Sequence, residues 1–289
     1  MMQFFRRKKE KQSVTEPPLS GGKEITVQNP SAVLPIVNTA IAAHIGTREY
    51  QQDAAYVCDP LYEEGLAYGI LCDGMGGMEE GERASGEVVV FMANRISTLG
   101  KDEHIPAFLE RAAVDANRFV LEQNAMTGLK SGTTLLTVLM RGGSLYWLSV
   151  GDSRIYIIRD GEIVQTTTDH SYALELQELV ESHRLTQEQA DADPGKDHLI
   201  SYIGAPVLER IDLSRSPFQM RYGDIILLCS DGLTKILYPD EILDIVMRRG
   251  LEEAAKALPA AAFAQSSASM DNTTVILMQY QYLNNGSVK

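Results

Sequence analysis

Four aspartates lie at the ends of short apolar segments, where strands of one fold bring polar side chains together. Asp73 directly follows LAYGILC, Asp231 comes two residues after DIILLC, and Asp271 precedes TTVILMQY, while Asp53 follows a polar turn after the first apolar segment. Carboxylates gathered in one place raise each other's pKa unless a cation holds them. Mg²⁺ and Mn²⁺ prefer such oxygen ligands, so the pattern favours a divalent metal site.

Each of these residues also has a plain structural interpretation. Two of the aspartates begin Asp-Gly dipeptides, which favour turns, and Asp271 fits a loop cap. Asp152 follows the segment SLYWLSVG and fits a turn, and Arg48 fits a surface charge. Taken singly, none of these residues identifies a metal site.

Composition narrows the class of protein. The chain has 289 residues, of which 44% are hydrophobic, and its 26 basic and 39 acidic residues give a net charge of −13. An acidic protein of ordinary globular composition is not typical of nucleic-acid binders, which need a basic face. The three cysteines have no metal-binding spacing and indicate a reducing compartment. No apolar stretch approaches the roughly 18 residues of a membrane span, so we expect a cytoplasmic protein.

The first 38 residues differ in composition from the rest of the chain. They contain four prolines and the pair Gly21-Gly22, which predicts an extended, partly disordered arm. The arm begins with the basic segment FFRRKK. That segment fits either a solvated tail or a contact with an anionic membrane surface.

From residue 39 onward, short apolar segments bounded by Gly, Asp or Asn predict strands. Arg141-Gly142-Gly143 and the turn at 159–162 predict hairpins, and hairpins imply antiparallel sheet. Residues 170–204 are polar without a clean strand, which indicates an inserted, mobile lobe. The predicted strands are 39–45, 66–72, 135–140, 144–150, 154–158, 224–229 and 273–280, and the predicted helices are 84–99, 105–123, 239–249 and 251–265. This order favours an α+β fold in which helices cover layers of antiparallel sheet.

The order of the polar motifs carries a family resemblance. Along the chain stand REYQQD (48–53), DGMGG (73–77), SGTT (131–134), GDSR (151–154), TDHS (168–171), SDGL (230–233) and DN (271–272). This set resembles the metal-dependent Ser/Thr protein phosphatases of type 2C, in particular the bacterial branch, over about residues 40–280. The resemblance implies a four-layer α/β/β/α sandwich, with two antiparallel sheets flanked by helices. It implies a phosphatase domain at 39–283, with a flap insertion at about 170–204 and a tail at 284–289.

The resemblance also implies a role for each aspartate. Asp73 would bridge two Mn²⁺ or Mg²⁺ ions, and the Gly74 carbonyl would bind one of them. Asp231 and Asp271 would complete the second site, and Asp53 would act mostly through metal-bound water.

The remaining implied roles concern the substrate and the flap. Asp152 matches the aspartate that helps to hold a third, weaker metal ion, and Arg48 matches the arginine that binds the substrate phosphate. A water activated between two metal ions would attack phosphorus, so no Cys or Ser nucleophile is needed. His170 would fit a general acid, but a structural role is favoured.

Some positions depart from the family pattern. Gln52 stands where the family has Glu, which would weaken one metal site. Met75 and Met78 stand where His is common, and Tyr202 stands where the flap often has Arg. With Met75, the general acid proposed at that position in eukaryotic relatives is absent, and a water would protonate the leaving group. The changes at Met78 and Tyr202 are expected to alter substrate preference, whereas all four core aspartates are retained.

Three hypotheses follow from the sequence. The first is a monomeric phosphatase acting on phosphoserine and phosphothreonine in the protein substrates of a Ser/Thr kinase. The second is a non-catalytic phosphoprotein-binding module on the same fold, which Gln52 supports. The third is a metal-dependent hydrolase of small phosphate esters or nucleotides. Metal-dependent turnover separates the first from the second, and a comparison of phosphopeptides with nucleotides separates the first from the third.

Overall fold

The computed structural model describes residues 34–58, 66–76, 79–266, 269–284 and 287–288. Residues 1–33 of the predicted arm, and Gly77 and Met78 of the DGMGG motif, lie outside the described residues. No described helix is long and apolar enough to cross a membrane. In chain order the elements are β1 Leu34–His44, β2 Asp53–Cys58, β3 Leu66–Met75, α1 Glu79–Ile96, α2 Ile105–Thr127, β4 Gly132–Thr133, β5 Leu135–Arg141, β6 Ser144–Val150, β7 Arg154–Arg159, β8 Glu162–Gln165, α3 Tyr172–Glu181, α4 Gln187–Asp191, β9 Asp212–Leu213, β10 Phe218–Gln219, β11 Ile225–Cys229, α5 Asp231–Thr234, α6 Pro239–Met247, α7 Leu251–Gln265, β12 Thr273–Asn284 and β13 Ser287–Val288.

The strands form two antiparallel sheets. The first has the order β1-β12-β11-β7-β8, with β13 paired to β12, and the second has the order β10-β6-β5-β3-β2, with β4 paired to β3 and β9 to β6. Apolar side chains from both sheets, among them Leu71, Val138, Ile226 and Ile276, form a buried layer between them. Strands such as β11 are buried along their length, which explains their continuous apolar sequences.

Helices cover the outer face of each sheet. The apolar side of α2, including Phe108, Leu109 and Ala112, packs with α1 against the second sheet. Ile242 of α6 and Leu258 of α7 pack against the first sheet. The predicted four-layer α+β sandwich is therefore confirmed.

Both predicted hairpins are present, and their turns explain the sequence signal. Gly142 and Gly143 join β5 to β6 with φ of 56° and 80°, and Asp160 and Gly161 join β7 to β8 with φ of 54° and 79°. Two successive positive φ values are the geometry of the tight hairpin turn that suits twisted strands.

Three local expectations need correction. Strand β1 begins at Leu34, so residues 34–38 of the predicted arm belong to the first sheet. At the other end of the chain, Ser287–Val288 of the predicted tail pair with β12. Asp53 was predicted to follow a polar turn and no strand was predicted there, but residues 53–58 form strand β2. Its small side chains, Ala54 and Ala55, gave little apolar signal.

The region predicted as an irregular lobe contains two helices, α3 and α4. Helix α4 begins with a capping box in which Thr186 and Gln189 satisfy each other's backbone N–H groups. An isolated bridge between Ser171 and Leu199 closes the lobe on itself, and a second one between Thr133 and Ile203 attaches its C-terminal end to the body. The sequence did not predict these helices because they are short and bury few side chains. In α3 the one buried residue is Leu176.

Candidate metal centre

Asp53 and Asp73 lie side by side on adjacent strands of the second sheet. They are direct partners in the β2–β3 register. Asp53 opens its strand and is 4% exposed, and its N–H donates to the side chain of Gln51 at 3.1 Å. The sequence placed Asp73 after a strand, whereas Asp73 and Gly74 lie inside β3. The turn interpretation of this Asp-Gly pair is therefore wrong.

Three further aspartates come from the first sheet and its connections. Asp231 begins α5 directly after β11, and Asp271 precedes β12, the neighbouring strand. Asp152 lies in the connection between β6 of the second sheet and β7 of the first. The ends of both sheets thus bring these aspartates to the same end of the sandwich.

The environment of Asp53 opposes its negative charge. The pKa of Asp53 is raised to about 7: burial is the main cause, the nearby hydroxyl groups of Thr274 and Ser230 lower it, and the carboxylates of Asp231 and Asp271 raise it. The Ser230 hydroxyl donates to Asp53 Oδ2 at 2.8 Å. A protein holds such a group in the charged state only if another charge compensates it.

Asp73 and Asp152 share this property. Burial raises the pKa of Asp73 well above its usual range, and the charges of Asp53 and Asp231 add to the effect. Burial also raises the pKa of Asp152 to about 7, with a further contribution from Asp231, while Lys235 lowers it. The aspartates therefore interact as one group of like charges.

Two carboxylate oxygens in this group fit a cation. Asp53 Oδ1 and Asp231 Oδ1 are buried and accept no hydrogen bond from any described residue. Buried acceptors without partners are costly, and a hard divalent ion is the partner that carboxylates suit. Within the described part of the chain, no group of three or more His, Cys, Asp or Glu side chains is already arranged to hold a metal ion. The unpartnered carboxylate oxygens therefore suit a divalent ion, but which residues would be its ligands stays a prediction.

Gly74 occupies a position that has no room for a side chain. A Cβ there would collide with the Gly81 carbonyl oxygen and lie 2.7 Å from the Gln52 carbonyl oxygen. The Gly74 N–H donates to Gln52 at 3.1 Å. Only glycine lets β3 pass this close to the start of α1 and the loop before β2, which explains the first glycine of the DGMGG motif. Its predicted role as a carbonyl ligand stays a prediction.

Arg48 reaches the same group of carboxylates from the loop between β1 and β2. Its Nη2 donates to Asp271 Oδ2 at 2.8 Å, and its side chain remains 55% exposed. The interpretation as an isolated surface charge is therefore incomplete, since the guanidinium lies next to a predicted metal ligand. Its exposure leaves it accessible to a phosphate group.

Asn272 is a site residue whose role the sequence did not reveal. Its Oδ1 accepts the Gln52 N–H at 2.7 Å, and its Nδ2 donates to the carbonyls of Ile45 at 2.9 Å and Tyr50 at 3.0 Å. These three bonds fix the loop that carries Arg48 to the start of β12. The DN motif was the available signal, but a single sequence does not show what the amide contacts.

Lys235 is the second residue that sequence analysis missed. Its Nζ donates to Asp231 Oδ2, one turn of α5 earlier. Burial lowers the pKa of Lys235, but the carboxylates of Asp231 and Asp152 outweigh burial and leave the pKa above its usual value. The i,i+4 spacing from Asp231 was the available signal.

His170 has a structural environment, as the sequence favoured. It is buried, and its Nδ1 accepts the Gly151 N–H at 3.2 Å. Burial also lowers the pKa of His170, so the ring is held as a neutral acceptor. The preceding Asp169 receives three hydrogen bonds from Arg154, which secures the base of the flap.

Two departures from the family pattern have defined surroundings. The Gln52 carbonyl accepts the Ser85 hydroxyl at 2.5 Å, and its side chain lies against Gly81. The Tyr202 ring covers Gly132, where a Cβ would lie 2.6 Å from the ring. Both substitutes are thus packed into the structure beside the site.

Comparison with known proteins decides the family. A family model described as Protein phosphatase 2C matches residues 42–272. The chain belongs to the protein phosphatase 2C family. The serine/threonine phosphatase stp of Listeria welshimeri is 30% identical over 223 residues, which cover 75% of this chain and 86% of that protein.

Further members of the family extend this result. The serine/threonine protein phosphatase PstP of Mycobacterium tuberculosis is 33% identical over 222 residues, covering 73% of this chain and 40% of PstP. Its crystal structure superposes with a TM-score of 0.71 at 30% identity, covering 84% of this chain and 98% of that chain. A PstP catalytic domain in complex with two manganese ions has a TM-score of 0.69 at 29% identity, covering 86% of this chain and 99% of that chain. The family and fold inferred from the sequence motifs are confirmed.

Proposed function

We propose that this 2C-family phosphatase removes phosphate from phosphoserine and phosphothreonine in proteins, using a metal-activated water. The observation that carries the proposal is the group of aspartates gathered at one end of the sandwich. Burial and mutual repulsion raise the pKa values of Asp53, Asp73 and Asp152, and Asp53 and Asp231 each have a buried oxygen without a partner among the described residues. Its relatives are named serine/threonine phosphatases, and one structure holds two manganese ions. These names support the same chemistry for this chain.

The proposed ligands follow the sequence motifs. Asp73, the Gly74 carbonyl, Asp231 and Asp271 would hold two Mn²⁺ or Mg²⁺ ions, with Asp53 acting mainly through water. Asp152 would contribute to a third, weaker site. When bound, the metal pair supplies a water of lowered pKa and neutralises charge that develops on the phosphoryl group.

The protein's own groups would bind and orient the substrate. Arg48 offers a planar fork that matches two phosphate oxygens, and Asn272 fixes the loop that presents it. The thiols of Cys72 and Cys229 are buried, and burial raises the pKa of both, that of Cys229 to about 12. Neither cysteine therefore offers a thiolate to attack phosphorus.

The deciding experiment measures hydrolysis of a phosphothreonine peptide by the full chain with Mn²⁺ or with EDTA. Turnover should require Mn²⁺ and fall about a hundredfold or more in Asp231→Asn, because a direct metal ligand is lost. Asp244→Asn is the matched control, since Asp244 is an exposed, ion-paired aspartate on α6, and it should retain full activity.

Other results would favour the alternatives. Manganese binding without turnover by the folded protein would favour the non-catalytic phosphoprotein-binding module, which Gln52 supports. Faster hydrolysis of nucleotides than of phosphopeptides would favour a small-ester hydrolase. Near-normal turnover of Asp231→Asn at saturating Mn²⁺ would remove Asp231 from the metal site.

We further propose a monomer in the cytoplasm that opposes a Ser/Thr kinase. The three free cysteines are compatible with a reducing compartment. Size-exclusion chromatography with light scattering tests the monomer, and cell fractionation tests the location.

A further inference from the structure

Lys235 lies where a metal ion would compete with it. The site contains two exposed cations, each bonded to a different proposed metal ligand: Arg48 to Asp271 and Lys235 to Asp231. The Asp231 side chain is 13% exposed, whereas that of Lys235 is 54% exposed. A largely buried carboxylate is thus neutralised by an ammonium group that approaches from the solvent side.

The two oxygens of Asp231 have different surroundings. Oδ2 accepts the Lys235 ammonium, while Oδ1 is buried and accepts no hydrogen bond from any described residue. The ammonium also interacts with the charges of Asp152 and Asp271. Lys235 therefore acts on three of the carboxylates proposed as ligands.

We propose that Lys235 is a built-in competitor of the metal ion at Asp231, so that it sets the metal concentration at which the site fills. The inference rests on the proposed function, because it requires Asp231 to be a metal ligand. A divalent ion can bind the free Oδ1 or displace the ammonium from Oδ2, and in either position an ammonium that stays nearby repels the ion.

The geometry allows this displacement. Lys235 follows the four-residue helix α5, and more than half of its side chain is in solvent. Its flexible stem can move the ammonium outward without disturbing the buried layers. At the C-terminal end of α6, Arg248 forms the same i,i+4 ion pair with Asp244 outside the site. That pair is a natural comparison, since it shares the helical spacing but not the neighbouring carboxylates.

The test is a calorimetric titration of the metal-free full chain with Mn²⁺, which does not depend on activity. Lys235→Gln should bind Mn²⁺ about tenfold more tightly than the original chain, because a competing and repelling charge is removed. Lys235→Met should show the same gain, and Lys235→Arg, which keeps the charge, should not. Arg248→Gln is the matched control and should bind Mn²⁺ as the original chain does.

A double-mutant cycle gives a second readout of the same coupling. In an Asp231→Asn background, Lys235→Gln should change Mn²⁺ affinity by less than about twofold, since the shared carboxylate is gone. Equal or weaker Mn²⁺ binding by both Lys235→Gln and Lys235→Met would overturn the inference while leaving the metal centre in place. No Mn²⁺ binding by any folded variant would overturn the metal centre, and this inference with it.

Discussion

Two equally buried aspartates stand at opposite ends of the sandwich and have opposite surroundings. Asp224 precedes β11 and is 2% exposed, and Asp53, at the other end, is 4% exposed. Both oxygens of Asp224 accept hydrogen bonds from Arg159, at 2.9 and 2.6 Å, and that guanidinium also lies 4.4 Å from the Phe218 ring centre. Asp53 accepts one hydroxyl hydrogen bond and faces other carboxylates.

The difference shows which charges serve the fold and which serve the site. The Asp224–Arg159 pair compensates its own charge, so it fixes the connection before β11 without any ligand. Asp53 and Asp73 form no ion pair with any described residue, whereas Asp271 and Asp231 are reached by the exposed cations Arg48 and Lys235. The rest of the fold must therefore hold Asp53 and Asp73 close to the other carboxylates against their repulsion. Uncompensated buried charge in a family with metal-dependent relatives is the signature of a site, and three measurements can break or sharpen the contrast.

The largest effect on stability is expected at the end of the sandwich that holds the Asp224–Arg159 pair. Asp224→Asn should lower the free energy of unfolding by about 3 kcal/mol, because it leaves the Arg159 guanidinium without its partner. Urea unfolding of the metal-free protein measures the change, and Asp244→Asn, which breaks only an exposed ion pair, should cost less than about 1 kcal/mol. A loss at Asp224 as small as the control would mean that the buried pair does not anchor this end.

A smaller effect on stability is expected from a change of pH, and it arises at the other end of the sandwich, where carboxylates repel each other. The folded-state pKa values of Asp53 and Asp152 are raised to about 7 from the usual 3.8. Between about pH 4 and pH 7 the folded chain holds protons that the unfolded chain has released, so stability falls as pH rises through this window. The melting temperature in EDTA should be roughly 5 °C lower at pH 8 than at pH 5.

The control for this pH dependence is the double variant Asp53→Asn, Asp152→Asn, which cannot release these protons. Its melting temperature should vary less between pH 5 and pH 8. An identical slope in the double variant would assign the pH dependence to the net charge of the chain instead.

The smallest effect is expected from a single site aspartate. Asp73→Asn should stabilise the metal-free protein by about 1 kcal/mol at pH 8, since it removes one of the repelling charges. Added Mn²⁺ should raise the melting temperature of the original chain but not of the variant. Destabilisation by Asp73→Asn would show that this carboxylate supports the fold, as Asp224 does.

Much of the fold could be predicted because its signals are local. The positive φ values at Gly142 and Gly143 and the apolar stripe that includes Phe108 follow from neighbouring residues alone. Strand β2 could not be predicted, because its position depends on pairing with β3 and on covering by α1 rather than on its own apolar content. The same holds for residues 34–38, whose strand requires a partner at the far end of the chain.

The site residues also divide into those that the sequence predicts and those that it does not. The aspartates are identified by motif order, but the sequence does not show which carboxylates have partners. The bond between Lys235 and Asp231 and the three bonds of Asn272 depend on how loops from both sheets meet. Asp224 looks like any other aspartate before an apolar segment, and only the folded position of Arg159 separates it from the site residues.

The pairing of β1 with β12 has a consequence for synthesis on the ribosome. Strand β1 lies at the edge of its sheet and pairs along its whole length with β12, from Leu34 opposite Leu283 to His44 opposite Thr273. A chain is made from its N-terminus, and contacts between distant residues form late. Because Asp271 and Asn272 directly precede β12, the proposed metal centre cannot be complete before synthesis reaches this strand. If the proposed site is correct, phosphatase activity is expected only after β12 has been made and has paired with β1.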